Sequence, residues 1–228
     1  MIISRTPFRI SFFGGGTDYP AWFKDQPGAV LATTIDKYCY ITARYLPPFF
    51  EHRSRIIYSK MEHVHGVDDI DHPSVRETLR FLNIHEGIEI HHDGDLPARA
   101  GLGSSSAFTV GLLNALYALK GIMTTKEQLA REAIHIEQDM IQENVGCQDQ
   151  TLAAHGGLSY IEIGGDGHLN VRKVTLTKEK LKELKSHMML FFTGFSRTAS
   201  EIAQHQIQNI PKKKKELKAM YGLVGQAV

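Results

Sequence analysis

This 228-residue sequence predicts a protein built from both strands and helices, with the strands gathered in its first half and helices opening its second. Two observations carry that expectation. Short β-branched and aromatic runs recur between turn signals through His91, and from Ser104 onward leucines recur at helical spacing. With 42% hydrophobic and 22% charged residues, the composition is that of an ordinary globular chain.

The elements follow in order. Ile2 to Phe13 reads as extended segments that meet the triplet Gly14-Gly15-Gly16. Between Gly28 and Tyr45 lie two strand-like runs, Val30 to Thr34 and Tyr38 to Thr42. His72 to Leu82 has the leucine spacing of a short helix entered through Pro73, and Ile88 to His91 alternates apolar with polar. Ser104 to Lys120, with Phe108, Leu112, Leu113, Leu116 and Leu119, predicts an apolar helix that Gly121 stops. Thr125 to Gln128 has a capping-box pattern, and Leu129, Ala133, Ile136 and Met140 then fall on one face of a second helix. Gly146 and Gly156-Gly157 break the chain. Leu158 to Ile163 and Asn170 to Leu176 read as a hairpin around the glycine turn 164–167. After the charged stretch Thr177 to Lys185, Met188 to Phe192 has the look of a buried strand opening a second domain. Thr198 to Glu201 suits a helix cap, and Leu217, Met220, Tyr221, Val224 and Val228 keep helical spacing to the last residue.

Charge and cysteine content narrow the function classes. Twenty-six basic against twenty-five acidic residues leave a net charge of +1, so a nucleic-acid partner is not expected, and the run Lys212 to Lys215 beside Pro211 reads as a solvated helix face. The two cysteines, Cys39 and Cys147, suit neither a disulfide framework nor a metal knuckle, and the histidines lack zinc spacing. No stretch approaches the roughly 18 apolar residues of a spanning helix, and the N-terminus has no leader pattern. A cytoplasmic protein with no membrane partner is the expectation.

The most informative segment is Pro97 to Ala107, whose core is Gly101-Leu102-Gly103-Ser104-Ser105-Ser106, set between a strand and the apolar helix. Glycines admit backbone amides close to an oxyanion, the helix N-terminus adds partial positive charge, and serine hydroxyls bind phosphate oxygens or a metal ion. A capped turn without a ligand would use the same residues. Three rival motifs fail: there is no Walker lysine after the second glycine, Ser106 stands where a dinucleotide loop wants its third glycine, and Ala107 replaces the last glycine of a hydrolase elbow.

These residues resemble the ATP-binding motif of the superfamily of galactokinase, homoserine kinase, mevalonate kinase and phosphomevalonate kinase (GHMP), and Arg9 to Tyr19 resembles the sugar-kinase signature of the same superfamily. Within it, Phe12 to Tyr19, Gly101 to Leu116, Gly146 to Gln150 and Phe191 to Arg197 are most similar to D-glycero-D-manno-heptose 7-phosphate kinases. The resemblance implies an α+β architecture: a ribosomal-S5-domain-2-like N-terminal domain over residues 1–185, then residues 186–228 as the start of a ferredoxin-like C-terminal domain. The superfamily's third, glycine-rich motif has no counterpart, so a C-terminally truncated kinase is expected.

The resemblance also implies roles. ATP is the phosphoryl donor and Mg²⁺ its companion; a sugar phosphate accepts the group, most simply at C1 of the heptose 7-phosphate. Pro97, Gly101, Leu102, Gly103, Ser104, Ser105 and Ser106 would bind ATP, and Ser105 with Glu137 would share Mg²⁺. Asp149 would be the catalytic base and Arg9 would stabilise charge on the transferred group, whereas on residue type alone they also suit a helix cap and an ordinary ion pair. Glu137 borders the apolar stripe of its helix, where a solvated residue would also fit. Gly15, Gly16, Thr17 and Asp18 would bind the acceptor, although Asp18 also suits a turn before Tyr19-Pro20, and Arg197 is a candidate for the sugar's own phosphate. In galactokinase-like members a Glu-His pair stands at Gly15 and Gly16, so those contacts do not carry over. A kinase for another sugar and a non-catalytic nucleotide or sugar-phosphate sensor are the alternatives, with a homodimer allowed in each case.

Overall fold

The computed structural model describes residues 1–97, 100–191 and 199–228. Its frame is a seven-stranded mixed sheet built on one long strand. β1 (Ile2–Phe13) runs antiparallel to β2 (Gly28–Tyr45) along one edge. On the other edge of β2, its last residues pair with β5 (Ile88–Gly94) and its first residues with β6 (Leu158–Ile163). β3 (Ser54–Ile57) lies parallel to β5 and antiparallel to β4 (Met61–Val64), and β7 (Leu169–Lys173) closes the far side on β6.

The two runs expected within residues 28–45 are one 18-residue strand. They read as separate because Ile35 to Lys37 bulge: Pro7 pairs with Tyr38 and Arg9 with Thr34, so three residues of β2 stand against Phe8 alone. Burial along β2 explains its mixed pattern. Gly28 to Ala32 are buried without a break because both faces are covered there, whereas Tyr38 to Arg44 alternate over a one-sided core.

Helices α3 (Ser104–Leu119) and α5 (Gln148–His155) pack on β1 and β2, with α2 (Pro73–Phe81) and α4 (Lys126–His135) packed behind them. α3 is buried on most sides, and Leu112, Leu113 and Leu116 meet Ile41, Ile88 and Ile90 of the sheet in the main core. The short α1 (Pro20–Phe23) brings Trp22 and Phe23 to a second core with Val30, Ala32 and Ile161, while the Trp22 indole donates to the Pro27 carbonyl. The sequence patterns did not signal β3, β4, α1 or α5. The strands among them have four residues each, too few for a period to show, and α5 is eight residues bracketed by glycines.

Three expectations change. Thr125 caps α4 by accepting the Gln128 amide, but the Gln128 side chain reaches Glu132, so only half of the capping box forms. The second helix does not run on regularly through Met140; Ile136–Met140 is a π-turn closed by the Ile141 amide on the Ile136 carbonyl. Met188 to Phe191 form no strand and stand exposed, with Met189 at 82% and Phe191 at 74%, and among the described residues no strand pairs with them. The charged stretch before them is a helix, α6 (Lys178–Ser186), capped by Thr177 and without a buried residue. Phe192 and the Thr198 cap lie outside the described residues. α7 (Ala199–Asn209) and α8 (Lys214–Ala227) return to the sheet, where Leu217 joins the Trp22 core and Val224 packs on Ala29 and Leu31.

Gly111 sits in the middle of α3 where the helix crosses β1. A Cβ there would stand 2.7 Å from the Thr6 hydroxyl and 3.2 Å from that of Ser4, which already donates to the Gly111 carbonyl. Gly111→Ala would gain about 1 kcal/mol of helix propensity and lose roughly 1–3 kcal/mol to overpacking. The expected net is a loss, measured as a lower urea midpoint; a raised midpoint would show that the helix and strand can separate freely.

Candidate functional site

The glycine-serine loop enters α3 with two left-handed residues, Gly101 at φ 74° and Gly103 at φ 73°. Glycine is required twice here, since other residues rarely adopt that conformation. The position of a Cβ on Gly101 is open, whereas one on Gly103 would meet the Arg9 side chain at 3.1 Å and the Asp149 carboxylate at 3.3 Å. Behind Gly103 stands the N-terminus of a 16-residue helix, with Ser104 half-exposed and Ser105 exposed on its first turn. That arrangement suits a phosphate chain: free amide donors, a helix dipole and two accessible hydroxyls. Pro97 is exposed at the start of the loop.

Arg9 ties the loop to the rest of the site. Its amide donates to the Leu102 carbonyl at 3.0 Å and its Nη1 to the Gly101 carbonyl at 2.9 Å. The remaining fork grips Asp149, Nε on Oδ1 and Nη2 on Oδ2, each at 2.6 Å. Both side chains are largely shielded, at 17% and 15% exposure. Burial pulls the Arg9 pKa down, and the charge and hydrogen bonds of Asp149 lift it further, so the net shift is upward. Asp149 occupies the first turn of α5, which places its carboxylate beside the N-terminus of α3. Each oxygen accepts one bond from Arg9 and keeps a lone pair for another donor.

Asp18 lies beneath this pair, 1% exposed. Its Oδ1 accepts the Gly16 amide at 3.0 Å, its Oδ2 faces the Gln148 amide at 3.5 Å, and its carbonyl accepts the Cys147 amide. A Cβ on Gly146 would fall 1.9 Å from Oδ2, so only glycine fits there. Burial, and then the nearby charge of Asp149, push the Asp18 carboxyl up to about 6. Thr17 is fully buried, and its hydroxyl bonds to Gly14 and Ala29, holding the glycine triplet on β2 rather than facing outward. Gly16 is covered by Gln206 and Leu217, while Gly15 borders a cavity of about 310 Å³. Arg197 lies outside the described residues.

Glu137 is completely buried, although the helical period placed it at the border of a stripe. It lies four residues after Ala133 and seven after Ala130, both buried, so the inward face of α4 continues through Ile136 and Glu137. Its carboxylate accepts Ser106 Oγ at 2.8 Å and Thr109 Oγ1 at 2.7 Å from α3, and Nε2 of Gln150 from α5. Ser106, not Ser105, is thus the loop serine that meets Glu137. An oxygen donor set suits Mg²⁺, and Mg²⁺ bound to a nucleotide needs few protein ligands. Ser105 offers an accessible oxygen for that ion, whereas the Glu137 carboxylate is enclosed and already accepts three internal donors. Among the described residues no three His, Cys, Asp or Glu side chains gather to hold a metal.

The motifs therefore located Arg9, Asp149, Asp18 and the loop, which the fold brings together. They did not single out Thr109 or Gln150, the partners of Glu137, or Ser11 and Gln148, two residues that line the cavity by Gly15. Gln148 and Gln150 flank Asp149 in the sequence, which was the available signal; Ser11 showed only as the second residue past Arg9 on a strand.

Comparison with known proteins agrees with this geometry. Residues 73–157 match the family described as GHMP kinases N terminal domain. The chain is 26% identical over its whole length to a D-glycero-alpha-D-manno-heptose 7-phosphate kinase of Campylobacter jejuni, spanning 69% of that protein. It is 26% identical to a galactokinase of Pyrococcus furiosus, with 90% of this chain and 57% of that protein aligned. The solved structure of a D-glycero-D-manno-heptose 1-phosphate kinase from Bacteriodes thetaiotaomicron superposes with a TM-score of 0.77 at 25% identity, over 95% of this chain and 73% of that one.

The two buried carboxyls give stability a pH dependence. Burial raises Glu137 to about 7 from 4.5 and Asp18 to about 6 from 3.8. Groups raised on folding stabilise fully below their unfolded pKa, near pH 4, and lose that contribution as pH climbs through 6 and 7. Glu137→Gln keeps the hydrogen-bonding shape and removes one of the two losses, on the order of 2–3 kcal/mol between pH 4 and 8. Urea unfolding of the nucleotide-free chain across that range should show a flatter profile in the variant. An unchanged slope would mean that Glu137 does not titrate there.

Proposed function

We propose, from the match of residues 73–157 to the GHMP kinases N terminal domain, that this protein is an ATP-dependent sugar kinase whose acceptor is a sugar phosphate. The observation that carries the reading is the place of Asp149: a carboxylate gripped by Arg9 and standing 3.3 Å from the Cβ position of Gly103, at the mouth of a phosphate-binding helix. The names of the heptose kinases in Campylobacter jejuni and Bacteriodes thetaiotaomicron agree on the sugar and differ on where its phosphate sits. We take the C1 hydroxyl of D-glycero-D-manno-heptose 7-phosphate as the first acceptor to test, and the cytoplasm as its place of action. Residues 1–185 would form the ATP-binding domain and residues 186–228 the start of a C-terminal one.

The chemistry follows from the residues. The loop amides of Gly101 to Ser104 and the α3 dipole hold the phosphate chain, and the Ser105 hydroxyl faces it. Arg9 fixes Asp149 in one orientation and adds a positive charge where the transferred group becomes most anionic. Asp149 takes the proton as the O–H bond of the acceptor breaks, the acceptor oxygen bonds to the γ-phosphorus, and the β,γ bridging bond breaks with its electrons leaving on ADP. Mg²⁺, when bound with ATP, would neutralise phosphate charge. Glu137 works from inside, tying the first turn of α3, which carries the loop, to the first turn of α5, which carries Asp149.

Coupled ADP release with a panel of heptose, mannose, galactose and fucose substrates tests the reading. Asp149→Asn should lower turnover by roughly 10²–10⁴, the usual worth of a general base, while ATP still raises the melting temperature. Full turnover in that variant would remove the assigned role. Tight ATP binding with turnover on no sugar would identify a sensor instead.

A further inference from the structure

Side chains link the start of α3, where the glycine-serine loop enters, to the first turn of α5, where Asp149 stands. One link is Arg9, which holds the Gly101 carbonyl and the Asp149 carboxylate from the partly open side. The other runs through the interior: Gln150 donates from α5 to the Glu137 carboxylate, which also accepts Ser106 and Thr109 from α3. Thr109 and Gln150 are both completely buried, and the Thr109 hydroxyl lies 3.3 Å from the Ser105 carbonyl on the first turn of α3.

Stability does not account for Gln150. Its amide nitrogen bonds to Glu137 while its amide oxygen has no partner, although buried polar atoms are nearly always bonded. An apolar side chain of the same length would leave no such orphan. The condition of α5 supplies a reason. This helix has eight residues, and its N-cap, Cys147, gives no side-chain bond to the first amides. The Cys147 amide ties the turn to the Asp18 carbonyl in the glycine-triplet loop, not to α3. Apolar packing between α3 and α5 is non-directional, so by itself it lets a short helix turn about its axis. Residues 149 and 150 project about 100° apart around the helix, so Arg9 and Glu137 hold its first turn from two directions and remove that freedom.

We propose that Thr109 and Gln150 are positioning residues: acting through Glu137, they make the start of α3 and the first turn of α5 one rigid body, so that nucleotide on the loop steadies the carboxylate beside it. The inference rests on the kinase reading for its reaction, and it deepens that reading by naming two enclosed residues that act on the base through the fold.

Hydrogen–deuterium exchange of the full chain, with and without ADP, reads the coupling apart from turnover. In the wild type ADP should slow exchange across residues 101–106 and, by roughly 5- to 10-fold, across residues 150–155, the worth of one or two hydrogen bonds. Thr109→Val keeps the side-chain shape and removes the hydroxyl; it and Gln150→Met should keep the slowing at the loop and lose most of it in α5. Thr109→Ser should restore it. With D-glycero-D-manno-heptose 7-phosphate, each of the two variants should lower kcat by roughly 5- to 20-fold and leave the KM for ATP within about twofold, and the double variant should lower kcat no further, as parts of one link do. If Thr109→Val does not fold, Gln150→Met makes the same test from the other helix. Variants that slow α5 exchange as the wild type does overturn the clamp and leave the kinase standing, and a wild type whose α5 exchange ADP leaves unchanged also overturns it. Coupled exchange that the variants break, with no turnover of any sugar by the wild type, upholds the clamp and sinks the kinase.

Discussion

The bidentate pair between Arg9 and Asp149 is the interaction on which the site depends. Arg9 belongs to β1 and Asp149 to α5, 140 residues apart in the chain, and the guanidinium also holds the carbonyl of Gly101. One side chain therefore joins the sheet, the glycine-serine loop and the carboxylate of α5. A planar fork makes this possible, because lysine could hold neither two carboxylate oxygens in one plane nor a carbonyl at the same time. The pair is shielded but not sealed, which leaves the carboxylate reachable while keeping the attraction stronger than it would be in bulk water.

Around that pair the protein tolerates buried acids for the sake of geometry. Asp18 and Glu137 are both enclosed, and burial raises both, to about 6 and about 7. Each offsets part of its desolvation with hydrogen bonds, Asp18 from the backbone amides of Gly16 and Gln148 and Glu137 from two helices. The same bonds fix the loop, α3 and α5 relative to one another. Close approaches without side chains complete the arrangement: Gly146 over Asp18, Gly103 against Arg9 and Asp149, and Gly14 against the Ala29 carbonyl. Rigid placement of a base beside a phosphate site is what phosphoryl transfer requires of a protein.

Much of the site was legible because its chemistry is local. The glycines and serines of residues 101–106 signal an anion loop wherever they fold, and Arg9, Asp18 and Asp149 lie inside short motifs. The long apolar α3 and the strand pattern of β1 were equally plain. Two things resisted. β3, β4 and α5 are too short for a period to show, and the run Met188 to Phe191 looks like a buried strand in composition although no strand among the described residues pairs with it. Glu137 misled in a different way: it follows Ala133 by four residues and Ala130 by seven, both buried, but a carboxylate on that face was read as its border.

By itself the sequence determined the residue types of the candidate site and the local conformations that present them: glycines that admit left-handed backbone, a helix start behind them, an arginine and a carboxylate. Only the tertiary structure decided partners. It assigned Arg9 to Asp149 and gave Glu137 to Ser106, Thr109 and Gln150 rather than to Ser105. The physical reason is that local conformation follows from neighbouring residues, whereas burial and hydrogen-bond pairing follow from which distant segments pack together.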